Sequence, residues 1–251
     1  MRPMKRERER EREAESNIIH KGDALRVLQT LPPGSVDAVV TDPPYCSGAA
    51  TLTGKQADPG KKYQKTGTVK VYPPMLGDGK DQRSFILWAT LWLSECWRVA
   101  KDGAPLLVFT DWRQLPAMTD AIQAAGWFWM GVVCWNKRSS RPSMGRFRNQ
   151  CEYVLFGSKG RFQASTRDCL PGIFDYPVIQ TQKVHLTSKP VALIKDLLRI
   201  APEGGPVLDP FRGGGTTAVA ALETGRKFVG IELSEAYAEI SEKRVQDVLV
   251  E

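Results

Sequence analysis

The sequence predicts an α/β protein, a doubly wound and mostly parallel sheet with helices on both faces. Three observations carry that prediction. Short apolar runs have the length and composition of strands buried on both sides. Stretches of helical period separate most of them, the alternation that builds a parallel sheet. One run ends in a glycine-rich turn that opens a helix, and an acid closes the following strand about 20 residues later.

The 251 residues, 42% of them hydrophobic, suffice for one sizeable core. No apolar run reaches about 18 residues, so no membrane span is expected. The N-terminus lacks the apolar segment of a secretory signal. Five unclustered cysteines fit reduced thiols, and two histidines are too few for a histidine-based metal site. These features predict a cytoplasmic protein.

In chain order, residues 1–16 read as a frayed or disordered charged tail. The alternation "KRERERERE" from Lys5 places like charges at i+4, which offsets the attraction at i+3. Residues 17–251 read as a single domain. Strands are expected at 17–22, 36–42, 104–111, 131–137, 151–158, 205–211 and 226–232. Helices are expected at 83–99, 113–125, 190–200, 215–224 and 234–249, with a short one in "ALRVLQTL" that Asp23 can N-cap. In the first long helix, Phe85, Trp88, Leu91, Trp92 and Trp97 are read as a core-facing set. Two stretches break the alternation. One is a long basic loop at 46–82, the other a short irregular insert at about 159–184.

Net charge is +7, and its distribution is informative. Residues 137–151 carry five basic residues and no acid. Lys137, Arg138, Arg141, Arg146 and Arg148, with Lys61, Lys62 and Lys65 from the first loop, are therefore candidate contacts to a polyanion's phosphates. Solvated loops are the plainer alternative.

"VLDPFRGGGTTAVAALETGRKFVGIEL" places Gly213, Gly215 and Ala218 in the G-x-G-x-x-G/A pattern, and Glu232 where an acid accepts from ribose hydroxyls. Asp209, directly before the loop, suits an ammonium and repels a pyrophosphate. That favours S-adenosylmethionine over a dinucleotide. "VDAVVTDPPYCSG" ends another strand in Asp42, followed by Pro43, Pro44 and Tyr45. The prolines stiffen the turn and aim the carbonyls before them. The Asp42 carboxylate and a neighbouring carbonyl can accept both hydrogens of an exocyclic amine, while Tyr45 offers a face for a base.

"DPPY" at 42–45, "HLTSKPVALIKDLLRIAPEGGPVLDPFRGGGTT" at 185–217 and "FVGIELSEAYAEISEKR" at 228–244 closely resemble the amino-group DNA methyltransferases, which act on adenine N6 or cytosine N4. The order, with the catalytic motif first and the cofactor loop last, resembles the beta subgroup. The resemblance implies a Rossmann-like methyltransferase fold with circularly permuted motif order, because "NIIHKGDAL" would normally follow the last helix. It implies S-adenosylmethionine as cofactor, held by Asp23, Ala24, Lys189, Asp209, Pro210, Phe211, Gly213, Gly215, Thr216, Thr217, Glu232 and Leu233. Asp42, Pro43, Pro44 and Tyr45 are its implied catalytic residues. Double-stranded DNA is the implied partner, with base flipping. A homodimer and a cognate restriction enzyme are compatible with it. Adenine N6 is the favoured target, because cytosine enzymes of the family more often begin the motif with serine. Cytosine N4 and a non-catalytic DNA-binding protein are the alternatives. Arg212 and Gly214 depart from the cysteine and serine common in the family's loop.

Overall fold

The computed structural model describes residues 17–46, 80–138, 144–177 and 189–250. The charged tail, most of the 46–82 loop, His185, Lys61, Lys62, Lys65 and Arg141 lie outside the described residues. The elements in chain order are β1 (Ile18–Lys21), α1 (Ala24–Thr30), β2 (Ala38–Thr41), α2 (Gln82–Val99), β3 (Pro105–Thr110), α3 (Leu115–Ala124), β4 (Phe128–Asn136), β5 (Cys151–Ser158), β6 (Ile173–Asp175), α4 (Val191–Leu198), β7 (Pro206–Asp209), α5 (Thr216–Glu223), β8 (Lys227–Glu232) and α6 (Glu235–Val250).

The strands form one sheet in the order β1-β8-β7-β2-β3-β5-β4-β6. The five strands from β1 to β3 are mutually parallel. β5 runs antiparallel between β3 and β4, and β6 pairs parallel with β4. The mostly parallel sheet is therefore as expected. β1 lies beside β8, registering Ile18 with Val229 and Lys21 with Glu232. That is the place of a strand following α6, so the permuted order holds in space.

Alternation along each strand sends side chains to two cores. Val39, Leu106 and Val108 pack with α1, α2 and α3 on one face. Val40, Leu107 and Phe109 pack with α4, α5 and α6 on the other. Among the described residues no helix is long and apolar enough to cross a membrane.

Four expectations need correction. The insert at 159–184 contains β6, three residues of which Phe174 alone is buried, too short a run to show a period. β4 begins at Phe128, three residues before the expected strand, because its first half is largely exposed and lacks a buried pattern. In α2, Leu91 and Trp97 are 49% and 37% exposed. The buried face runs through Phe85, Ala89, Trp92, Leu93 and Cys96. At about 100° per residue, Leu91 and Trp97 fall roughly 120° to either side of it. Lys159 covers Trp97, its ammonium 4.3 Å from the ring centre. Finally, Cys46, expected to begin a DNA-facing loop, has its side chain turned inward. It is 2% exposed within the first core and takes a positive φ of 57° as the chain leaves the proline turn.

β3 is flanked by β2 and β5, and Leu106 on it is fully buried. Leu106→Ala should destabilise the protein by about 2–5 kcal/mol. A lower urea midpoint with an unchanged m-value is the expected readout.

Candidate functional site

The five parallel strands all deliver an acid at their carboxyl ends. Across the sheet these are Asp23 after β1, Glu232 ending β8, Asp209 ending β7, Asp42 after β2 and Asp111 after β3. All five line one cavity of about 460 Å³. Strand order reverses between β7 and β2, where the chain proceeds to β8 on one side and β3 on the other. Open α/β sheets bind ligands at such a switch point. The volume lies in the usual range of small-molecule sites.

The cofactor-loop half follows β7. Asp209 is 2% exposed, and its Oδ1 accepts from the Thr41 hydroxyl at 2.7 Å and the Phe211 N–H at 3.1 Å. Burial pushes its pKa up to about 6, against these bonds and another from Thr217. Gly213 and Gly215 are left-handed at φ 51° and 80°. Gly215 does not line the cavity. It N-caps α5 hard against α6, where a Cβ would meet Ser241 Oγ at 2.2 Å. Glu232 accepts from the N–H groups of Gly213 and Ser234, both at 2.8 Å. Burial raises its pKa, opposed by those N–H groups and by Arg212. Asp23 N-caps α1 through Arg26 N–H at 3.2 Å and also borders the cavity, so its two expected roles are spatially compatible. Ala24, Pro210, Phe211, Thr216, Thr217 and Leu233 complete this wall.

Arg212 is 3% exposed. It occupies space that Gly230 leaves open, since a Cβ there would lie 2.7 Å from Arg212 Cδ. Its Nη2 donates to the Ala238 carbonyl at 3.1 Å, while Nε and Nη1 have no partner among the described residues.

The acceptor half follows β2. Asp42 Oδ1 accepts from the Tyr45 hydroxyl at 2.7 Å, and Oδ2 accepts from the Lys189 ammonium at 2.6 Å. Pro43 and Pro44 form the adjoining wall. Lys189 also reaches Glu152 Oε2 at 3.3 Å, and Lys137 donates to Glu152 Oε1 at 2.9 Å. Burial would raise the Glu152 pKa, but Lys189 and Lys137 outweigh it and hold the carboxyl down at about 2. Burial opposes the charge of Lys189, yet Asp42 and Glu152 raise its pKa. Burial raises that of Asp42, and the Glu152 charge adds to it, against the Lys189 ammonium and the Tyr45 hydroxyl. The tyrosine pKa also rises, by burial and then the nearby acids, so Tyr45 stays a donor.

The structure thus gathers every described candidate catalytic and cofactor residue around the switch point, with Gly215 one step behind. It adds three cavity-lining residues that sequence reasoning missed. Asp111 was signalled by the repetition of Thr-Asp at the ends of β2 and β3. Trp112 beside it is 49% exposed and lines the cavity. Glu152, an acid opening an apolar strand, had no local signal. Among the basic candidates, Lys137 faces into the cavity and Arg138 approaches Asp175 at 3.5 Å. Arg146 and Arg148 are exposed and form no ion pair among the described residues.

A permuted Rossmann-like sheet carrying a glycine loop and an Asp-Pro-Pro-Tyr turn at one switch point defines a methyltransferase fold. The chain belongs to the N6/N4 DNA methylase family, which it matches over residues 36–243, and this family transfers methyl groups from S-adenosylmethionine to DNA amino groups. YubD of Escherichia coli strain K12, named as a methylase, is 30% identical over 91% of this chain and 89% of its own. TTHA0409 of Thermus thermophilus, named as a DNA modification methylase and crystallised with S-adenosylmethionine, is similar in fold. Its TM-score is 0.66 at 24% identity, covering 93% of this chain and 96% of that one. The cytosine-N4-specific PvuII DNA methyltransferase aligns with a TM-score of 0.69 at 18% identity, over 92% and 90% of the two chains.

Asp209 has a folded pKa of about 6 against an ordinary 3.8. Between those values the folded state holds the proton and the unfolded state does not. Stability therefore falls as pH rises through this window, by up to about 3 kcal/mol. Asp209→Asn keeps an oxygen for Thr41 and Phe211. It should be more stable than wild type at neutral pH, with the gap closing toward about pH 4, as thermal denaturation across that range would register.

Proposed function

We propose that the protein transfers a methyl group from S-adenosylmethionine to N6 of adenine in double-stranded DNA. The observation that carries this reading is Asp42 at the switch point, one residue from Thr41, whose hydroxyl is bonded to the cofactor-loop acid Asp209. Acceptor and cofactor walls therefore belong to one cavity. The acceptor set fits the cofactor: Glu232 for ribose hydroxyls, Asp23 for the adenine, Asp209 and its loop for the amino-acid end. When bound, the cofactor supplies an electrophilic methyl on a sulfonium. The chain's residues do the rest. Asp42 and the Pro43 carbonyl accept the hydrogens of the target amine, orient its lone pair and stabilise the charge that develops there. Tyr45, anchored through its hydroxyl, presents its ring to a base swung out of the duplex. The aspartate that opens the motif favours adenine over cytosine.

Purified protein, unmethylated genomic DNA and labelled S-adenosylmethionine should yield N6-methyladenine on nucleoside analysis. N4-methylcytosine would instead establish the second reading. Asp42→Ala should abolish methylation and leave cofactor affinity within about 2-fold by calorimetry. Arg146→Ala with Arg148→Ala should weaken DNA binding and lower the slope of log affinity against log salt by up to about 2. An unchanged slope would remove these arginines from the DNA interface.

A further inference from the structure

Both oxygens of Asp42 already have donors, Tyr45 at 2.7 Å and Lys189 at 2.6 Å. The proposed reaction needs that carboxylate for an amine that becomes positively charged. An ammonium on Oδ2 competes for the same acceptor and opposes the developing charge. Lys189 has a second carboxylate in reach, Glu152 Oε2 at 3.3 Å. Its ammonium is caged by rings, 5.2 Å from the centres of Tyr45 and Phe109 and 5.9 Å from that of Trp135. Such a cage keeps a desolvated cation charged while leaving it room to shift between neighbours. Lys137 holds the other Glu152 oxygen at 2.9 Å, which keeps Oε2 turned toward Lys189 and the Tyr45 hydroxyl.

We propose that Glu152 is a positioning residue of the methyl-transfer site, drawing the Lys189 ammonium off Asp42 as the target amine enters. The inference rests on the amino-methyltransferase reading above. Glu152 acts through Lys189 and does not touch the reacting atoms. Without its carboxylate, Lys189 stays on Asp42 and the amine meets an occupied acceptor. Once Lys189 is removed as well, Glu152 has nothing left to move.

The test is a double-mutant cycle with Glu152→Gln and Lys189→Met, read by steady-state methylation of DNA. Glu152→Gln should lower kcat about 10-fold or more, with the KM for S-adenosylmethionine within about 2-fold of wild type. In the Lys189→Met background the same change should cost less than about 2-fold. An equal loss in both backgrounds, or a wild-type kcat in Glu152→Gln, overturns the proposal. Should Lys189→Met be inactive by itself, 15N NMR of the Lys189 ammonium answers without turnover. Substrate DNA plus S-adenosylhomocysteine should shift that resonance in wild type and not in Glu152→Gln, and an unmoved wild-type resonance overturns the proposal. Wild-type protein inactive on every DNA offered sinks the methyltransferase reading itself. An active wild type with an unaffected Glu152→Gln sinks this inference alone.

Discussion

The site depends on one buried hydrogen bond, from the Thr41 hydroxyl to Asp209 Oδ1 at 2.7 Å. The backbone ladder between β2 and β7 registers Ala38 with Val207 and Val39 with Leu208. Beyond it the strands diverge into two different turns, and the side-chain bond takes over where the ladder stops. A hydrogen bond to a charged group contributes roughly 1.5–3 kcal/mol. That offsets part of the desolvation of Asp209 and fixes the proline turn against the glycine loop. A methyl transfer needs its two reactants aligned to within a fraction of an ångström. This bond ties the residue beside Asp42 directly to the acid of the cofactor loop.

Six acids around one cavity, Glu152 with the five at the strand ends, would repel one another without compensation. Two buried cations provide it, one beneath each half. Lys189, with 6% of its side chain exposed, lies between Asp42 and Glu152. Arg212 lies beneath the cofactor loop, where its charge favours the ionised form of Glu232. A guanidinium with two nitrogens unpartnered among the described residues is expensive to bury. Gly230 makes the burial possible by leaving room, and Ala238 accepts one bond. Arg212, which departs from the family's usual cysteine, is thus directed toward α6 and acts on the cavity through its field. The lining keeps a formal excess of acids over the cations Lys80, Lys137, Lys189 and Arg212, which suits ligands that carry or develop positive charge, a sulfonium and an amine being of that kind.

Local signals reported the fold well, because each of its main elements is longer than its own period. Strands β2, β3 and β7 were legible as apolar runs, and α5 and β8 as the units around a glycine loop. The motif residues were legible because rigid or permissive residues announce a demanding backbone, prolines at 43 and 44 and glycines at 213 and 215. What the sequence did not show is long-range. Glu152 and Asp42 are bonded to the same lysine although 110 residues of chain separate them. No spacing rule reaches that far. β6 escaped because three residues display no alternation, and the first half of β4 because its side chains are exposed. Cys46 was read with the loop that follows it, whereas the turn directs it inward. Leu91 and Trp97 show that apolar residues on a helix need not share a face.

The permuted chain order has an energetic consequence for the cofactor wall. Asp23 comes from the first strand, while Asp209 and Glu232 come from the last third of the chain. β1 is an edge strand of four residues, held by its ladder to β8, by the Gly22 N–H on the Glu232 carbonyl at 2.9 Å, and by contacts with α6. The Lys21–Glu242 pair, at 3.7 Å with both side chains more than 40% exposed, adds little. In an unpermuted chain a covalent link from α6 would hold this strand in place. Here its place depends on pairing, on the Gly22 bond and on packing, so Asp23, the acid proposed to face the adenine, follows an edge strand with one strand neighbour. A ligand that bridges Asp23 and Glu232 binds only when β1 is docked, and its binding free energy therefore adds to the docking of that strand. A cofactor held by both acids would thus link its own binding to the docking of this edge strand.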